Sequence, residues 1–153
     1  MRPFLLRQFA TAFLVLAAVA CDSSTGPGGA LVSASVSHTT FRAGDSVVVS
    51  VTTTNLGPDR IWVPTTSCLK LFEVLKDDTV VLPNSAICAL ANSVPPSTIS
   101  LRAGASTTVN YVWHAQHDGW PVLFSPGTYT LRGRVYVRGQ PVYSEPVSIE
   151  ILP

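Results

Sequence analysis

Past its first residue this chain of 153 has no methionine, and it holds only two lysines, three histidines and three cysteines. Each scarcity excludes something. The lysines, Lys70 and Lys76, belong to no cluster of basic residues, and phosphate binding needs grouped Lys and Arg, so a nucleic-acid partner is not expected. Without methionine after Met1, the usual axial ligand of a blue-copper site is missing. Gly26, Gly28 and Gly29 precede no helical pattern, so no loop cradles a phosphate. No serine sits in a pattern resembling a nucleophile elbow. There is no internal repeat, which argues against a propeller or solenoid. The chain is therefore expected not to be an enzyme and to use no cofactor.

One apolar run is present, from Phe9 to Ala20, preceded by Arg2 and Arg7. It has the length of a signal sequence and is too short to span a bilayer as a mature helix. Ala17, Ala18, Val19 and Ala20 follow one another, and then comes Cys21. The segment resembles a bacterial lipoprotein signal, in which the cysteine after a small residue is lipidated and becomes the new N-terminus. The resemblance implies lipid attachment at Cys21 and removal of residues 1–20. Ordinary cleavage after Ala18-Val19-Ala20 is the rival reading, and it exports the protein too. Residues 21–30 are small, polar and glycine-rich, the composition of a flexible tether. A folded domain is expected over 31–153. The expected location is the cell envelope, on the periplasmic or outer-surface side of a bacterial membrane, with the membrane as partner through the lipid.

Loss of Arg2 and Arg7 leaves eight basic residues against nine acidic ones. With Cys21 lipidated, Cys68 and Cys88 remain as a pair. In an oxidising compartment they are expected to form a disulfide, worth roughly 3 kcal/mol for a loop of this length. Two thiols without a nearby histidine make a poor zinc set.

The remainder alternates with period two and is broken by Gly, Pro, Asn and Asp. Val47, Val49, Val51 and Thr53 share one face, as do Val109, Tyr111 and Trp113 of the strand over 107–114. Tyr129, Leu131, Gly133, Val135 and Val137 alternate likewise, and a last strand over 142–152 points Val147, Ile149 and Ile151 inward. In the denser run over 68–75 the parity changes, which predicts a bulge near Leu71-Phe72. Lys76-Asp77-Asp78-Thr79 reads as a hairpin turn. About eight or nine short strands with regular turns predict an all-β antiparallel sandwich of immunoglobulin-like type. Pro64, Pro83, Pro121, Pro126, Pro141 and Pro146 fall at strand ends or edges, as they must.

Three pieces occur in a familiar order. Phe41-Arg42-Ala43-Gly44-Asp45 leads into an alternating strand ending at Asn55. Cys68 to Val74 precedes a polar hairpin. Leu101-Arg102-Ala103-Gly104 precedes a strand ending at Trp113, and then comes Ser125-Pro126-Gly127-Thr128-Tyr129-Thr130-Leu131. The order resembles the immunoglobulin-like domain of the bacterial intracellular proteinase inhibitor family over about 41–151. The resemblance implies the fold. It also implies, as an alternative function, a proteinase inhibitor displayed on the envelope through the Trp120–Phe124 loop or the segment between Cys68 and Cys88.

Of the side chains that could carry chemistry, His114, His117 and Asp118 form the best polar cluster. Two histidines three apart with a carboxylate could bind zinc or copper, with His38 the only further histidine. The competing reading is a solvated loop leaving a strand. Trp62, Trp113 and Tyr129 are expected in the core. Trp120, Val122, Leu123 and Phe124 form an apolar loop. Exposed, it would contact a partner, expected to be another envelope protein. Folded over the end of the sandwich, it would be hidden.

Overall fold

A computed structural model describes residues 26–65, 69–83, 97–117 and 122–153. The expected attachment site Cys21 and disulfide pair Cys68 and Cys88 lie outside the described residues. So do Asp118 and Trp120.

The chain is all-β. Alternation extends through β1 (Ala30–Val36), β3 (Val47–Asn55) and β8 (Ser106–Trp113), which pair in the order β1-β3-β8. The register is unbroken: Ala30 faces Asn55, and Val47 faces Trp113. Val47, Val49, Val51 and Thr53 are buried, as are Val109, Tyr111 and Trp113. The outward positions of this sheet carry no charge. They are mostly hydroxyls, and Thr52–Thr108 and Thr54–Ser106 are hydrogen-bonded at 2.8 Å.

A second sheet runs β2-β11-β9-β5-β6, from β2 (Thr40–Arg42), β5 (Phe72–Lys76), β6 (Thr79–Leu82), β9 (Gly127–Val137) and β11 (Val147–Leu152). β2 pairs parallel with β11, so the first segment of the fold switches sheets between Val36 and Thr40. β4 (Ile61–Pro64) and β7 (Thr98–Leu101) form a two-stranded sheet whose Ile61, Val63 and Leu101 join the same core. β10 (Gln140–Tyr143) pairs with the second half of β9, where β11 pairs with the first half. The register between the two pairings differs by one residue, so the strand expected over 142–152 is broken by a bulge. Ser144 makes that bulge possible: its hydroxyl accepts from the Gly133 N–H at 2.8 Å, while its own N–H donates to the Gly133 carbonyl.

Short pieces raise the count to eleven strands among the described residues, against eight or nine expected. Two further expectations are corrected. Trp62 is 64% exposed, because Ile61 and Val63 take the inward positions of β4. The register shift lies between Val74 and Leu75 rather than at Leu71-Phe72. Leu71 through Leu75 are all buried, so alternation carries no signal there.

The principal sheets meet face to face, as apolar sheet faces must. At Gly133 they come so close that an added Cβ would lie 3.1 Å from Val32 and 3.2 Å from Val51. Aromatic rings fill the other half of the interface. Trp113 sits edge-on to Phe41, Phe72 and Phe124 at centroid distances of 6.0, 6.0 and 5.5 Å. Edge-to-face contact is the favoured geometry for such rings. Tyr111 lies beside Phe72 and donates to the Leu69 carbonyl at 2.7 Å.

Burial pushes the Tyr111 phenol up from 10.0 to about 12. The folded state therefore keeps this proton at pH values where the unfolded state has lost it. The contribution is complete below pH 10 and disappears as pH rises toward 12, because stability falls with pH wherever the folded state binds more protons. Urea midpoints are expected to drop across that window, and more steeply than in Tyr111→Phe.

Candidate functional site

Strand direction gives the sandwich two unlike ends. The chain enters at one, where Gly26–Gly29 turns against the β3–β4 connection. The Leu56 N–H donates to the Gly29 carbonyl at 2.8 Å, and a Cβ on Gly29 would fall 2.6 Å from the backbone of Gly57. With a positive φ of 74° as well, Gly29 has to be glycine. Ala30 is fully buried. Gly26–Ala30, the described part of the segment expected as a tether over 21–30, therefore packs against the β3–β4 connection.

At the opposite end β8 stops, β9 starts and the loop over 114–124 crosses between them. Its described flanks, 114–117 and 122–124, are paired with each other. The Phe124 N–H donates to the Ala115 carbonyl and the His117 N–H to the Val122 carbonyl, both at 2.9 Å, and Gln116 bridges Leu123. Ala115 is fully buried, with a positive φ of 49° that turns the chain back on itself. The indole N–H of Trp113 donates to the Gln116 carbonyl at 3.2 Å. Below the loop, the Tyr129 hydroxyl donates to the Ser125 carbonyl at 2.8 Å, the corner contact common in immunoglobulin-like sandwiches.

This anchoring separates the candidate contact residues. Phe124 is 4% exposed and packs edge-on to Trp113 and Tyr129. It holds the loop down and is not available to a partner, against its inclusion in the expected contact set. Val122 and Leu123 are 54% and 49% exposed and form the accessible apolar part of the loop among the described residues.

The two histidines are used separately. His117 stacks on Phe124, 4.3 Å between centroids and 7° between planes. His114 places Nδ1 3.3 Å from the Ser46 hydroxyl, and its carbonyl accepts from the Gly44 N–H. Among the described residues no three His, Cys, Asp or Glu side chains gather as a metal-binding group. The Asp45 carboxylate, nearest in sequence to Ser46, is turned to the Arg42 N–H at 2.9 Å.

A polar cluster that the sequence reading missed lies on the outward face of the second sheet. Glu73 is 2% exposed and receives Arg132 Nε at 2.6 Å and Arg134 Nη1 at 3.3 Å. The Arg132 guanidinium lies 4.3 Å from the Tyr143 ring centroid, and Arg134 hydrogen-bonds the Tyr136 hydroxyl. Its signal was a lone acid, Glu73, within Leu71–Leu75, and two arginines at alternate positions of β9, Arg132 and Arg134.

Fold and site together define an all-β sandwich with two exposed apolar residues, Val122 and Leu123, on a loop at one end, besides others such as Trp62 and Val112 on strands. No protein-family model and no curated protein matches the chain. Among solved structures it is similar to parts of a Pseudomonas fluorescens alkylpurine DNA glycosylase bound to DNA (17% identity, TM-score 0.47, 80% of this chain and 30% of that one). It is also similar to parts of a β-glucosidase from Erythrobacter marinus (12%, 0.47, 80% and 15%). The CARDB domain of a Pyrococcus furiosus protein, solved with di-metal ions, is matched over 89% of its length (10%, 0.43, 80% of this chain). The chain thus spans less than a third of the first two proteins. Such remote likenesses carry nothing about activity.

Proposed function

We propose that this protein is an exported, non-enzymatic binding module, anchored to a bacterial membrane by lipid on Cys21, which presents a loop to another envelope protein. The observation that supports the reading is the division of labour within 114–124. Phe124, Ala115 and the Trp113 indole fix the described flanks of the loop, and Val122 and Leu123 are exposed there, at the end opposite the chain's entry. Backbone fixed in advance at Val122 and Leu123 lowers the ordering cost of binding through these side chains. Its position keeps it clear of the membrane.

Crosslinking in intact envelopes tests this. Val122→Asp with Leu123→Asp is expected to lose the partner captured by the native chain while the melting temperature stays the same, since both side chains face solvent. Capture of the same partner by the folded double variant would remove the loop from the interface. Mass spectrometry of the mature N-terminus tests the anchor by itself.

A further inference from the structure

The ends of the sandwich also differ in charge. Where the chain enters, three turns gather around Gly26–Gly29. The Asn55 N–H donates to the Ala105 carbonyl and the Gly104 N–H to the Asn55 carbonyl, joining the β3–β4 and β7–β8 turns. A Cβ on Gly28 would touch Val137 and Arg138, which brings in the β9–β10 turn. The charged residues on these turns are Arg60, Arg102, Arg138 and Asp59, all exposed. Arg138 reaches Asp59 at 3.0 Å, while Arg60 and Arg102 form no ion pair among the described residues. Three guanidiniums thus stand against one carboxylate. The far end has the opposite balance: Arg42 and Lys76 against Asp45, Asp77, Asp78 and Glu150.

Length decides which end meets the membrane. Only residues 22–25 separate Cys21 from Gly26, a connection that extends about 18 Å at most. A domain held that closely has its entry end within a few screening lengths of the headgroups, each of about 10 Å at moderate salt.

We infer that this arginine-bearing end lies against anionic lipid headgroups and orients the domain, with phosphate-bearing lipid as the partner of Arg60, Arg102 and Arg138. The inference rests on the anchor proposed above. Basic residues beside a membrane are drawn to anionic lipid, and an excess of two over the carboxylate supplements a lipid anchor without replacing it. The acidic far end is repelled, which favours the same orientation and leaves Val122 and Leu123 outward.

The test separates orientation from anchoring. Residues 1–20 are replaced by a hexahistidine tag and the chain is held on vesicles containing nickel-chelating lipid, so natural lipidation plays no part. Amide hydrogen exchange is compared on phosphatidylcholine vesicles with and without phosphatidylglycerol. On anionic vesicles, exchange over 57–60, 102–105 and 138–140 is expected to slow by roughly tenfold or more, as attraction of the two excess positive charges allows. High salt should abolish the slowing, and so should R60E/R102E/R138E, with circular dichroism showing the variant folded. Equal exchange on both vesicles, slowing that survives high salt, or protection at Asp77–Thr79 instead would overturn the inference. The salt arm needs no variant. A chain unmodified at Cys21 in native membranes would overturn the anchor and leave this measurement unaffected.

Discussion

Trp113→Ala is expected to lower stability by about 3–5 kcal/mol, the range for removing a large buried aromatic. Trp113 is 5% exposed and has ring contacts with Phe41, Phe72 and Phe124, which come from β2, β5 and the loop over 114–124. It therefore joins both principal sheets and the base of the candidate site. Its indole also holds the Gln116 carbonyl, so truncation opens a cavity and frees the loop together. Trp62→Ala is the control. With 64% of Trp62 exposed, its loss is expected to stay within roughly 0.5 kcal/mol. Urea unfolding of the two variants decides the matter. Similar midpoints would mean that the ring cluster does not hold the sandwich together.

The second large effect is expected at Glu73. Its carboxylate is 2% exposed and is held by two guanidiniums that are 32% and 24% exposed. Glu73→Ala leaves both positive charges facing a site closed to water. Breaking a buried pair from one side costs about 3–5 kcal/mol, and partial access of the arginines to solvent places this case at the lower end. Arg132→Met should cost less, because Arg134 still serves the carboxylate. The double variant Glu73→Met with Arg132→Met should recover part of the loss. Equal losses in Glu73→Ala and Arg132→Met, measured by denaturant titration, would show that the carboxylate is not the centre of the cluster.

Much of the fold was legible because so many strands bury one face only. β3, β8, β9 and β11 alternate cleanly, and their inward residues are the ones expected. Three features were not legible, each for a physical reason. A four-residue strand is too short to show parity, so the size of Trp62 outweighed its position between Ile61 and Val63. Leu71 to Leu75 are buried on both faces, and alternation disappears when neither face meets water. Three-residue β2 pairs through its backbone with a strand more than a hundred positions away, which no local pattern encodes. At the candidate site, composition identified an apolar loop. Which of its side chains point inward depends on the β-bridge of Gln116 with Leu123 and on the turn at Ala115. Sequence therefore does not distinguish Phe124 from Val122 and Leu123, although it is buried and they are exposed.

The continuous β1-β3-β8 layer has a mechanical consequence. Tension applied between the N-terminus and the loop over 114–124 would pass from β1 to β3 and from β3 to β8. In both pairings the load runs along the strands, across seven residue pairs from Ala30 to Val36 and eight from Val47 to Thr54. The ladder bonds would then resist together in shear instead of opening singly from one end. Pulling at the β9–β10 hairpin would unzip its few pairs in turn, so the domain should be stiffest along the line from its entry end to the loop over 114–124.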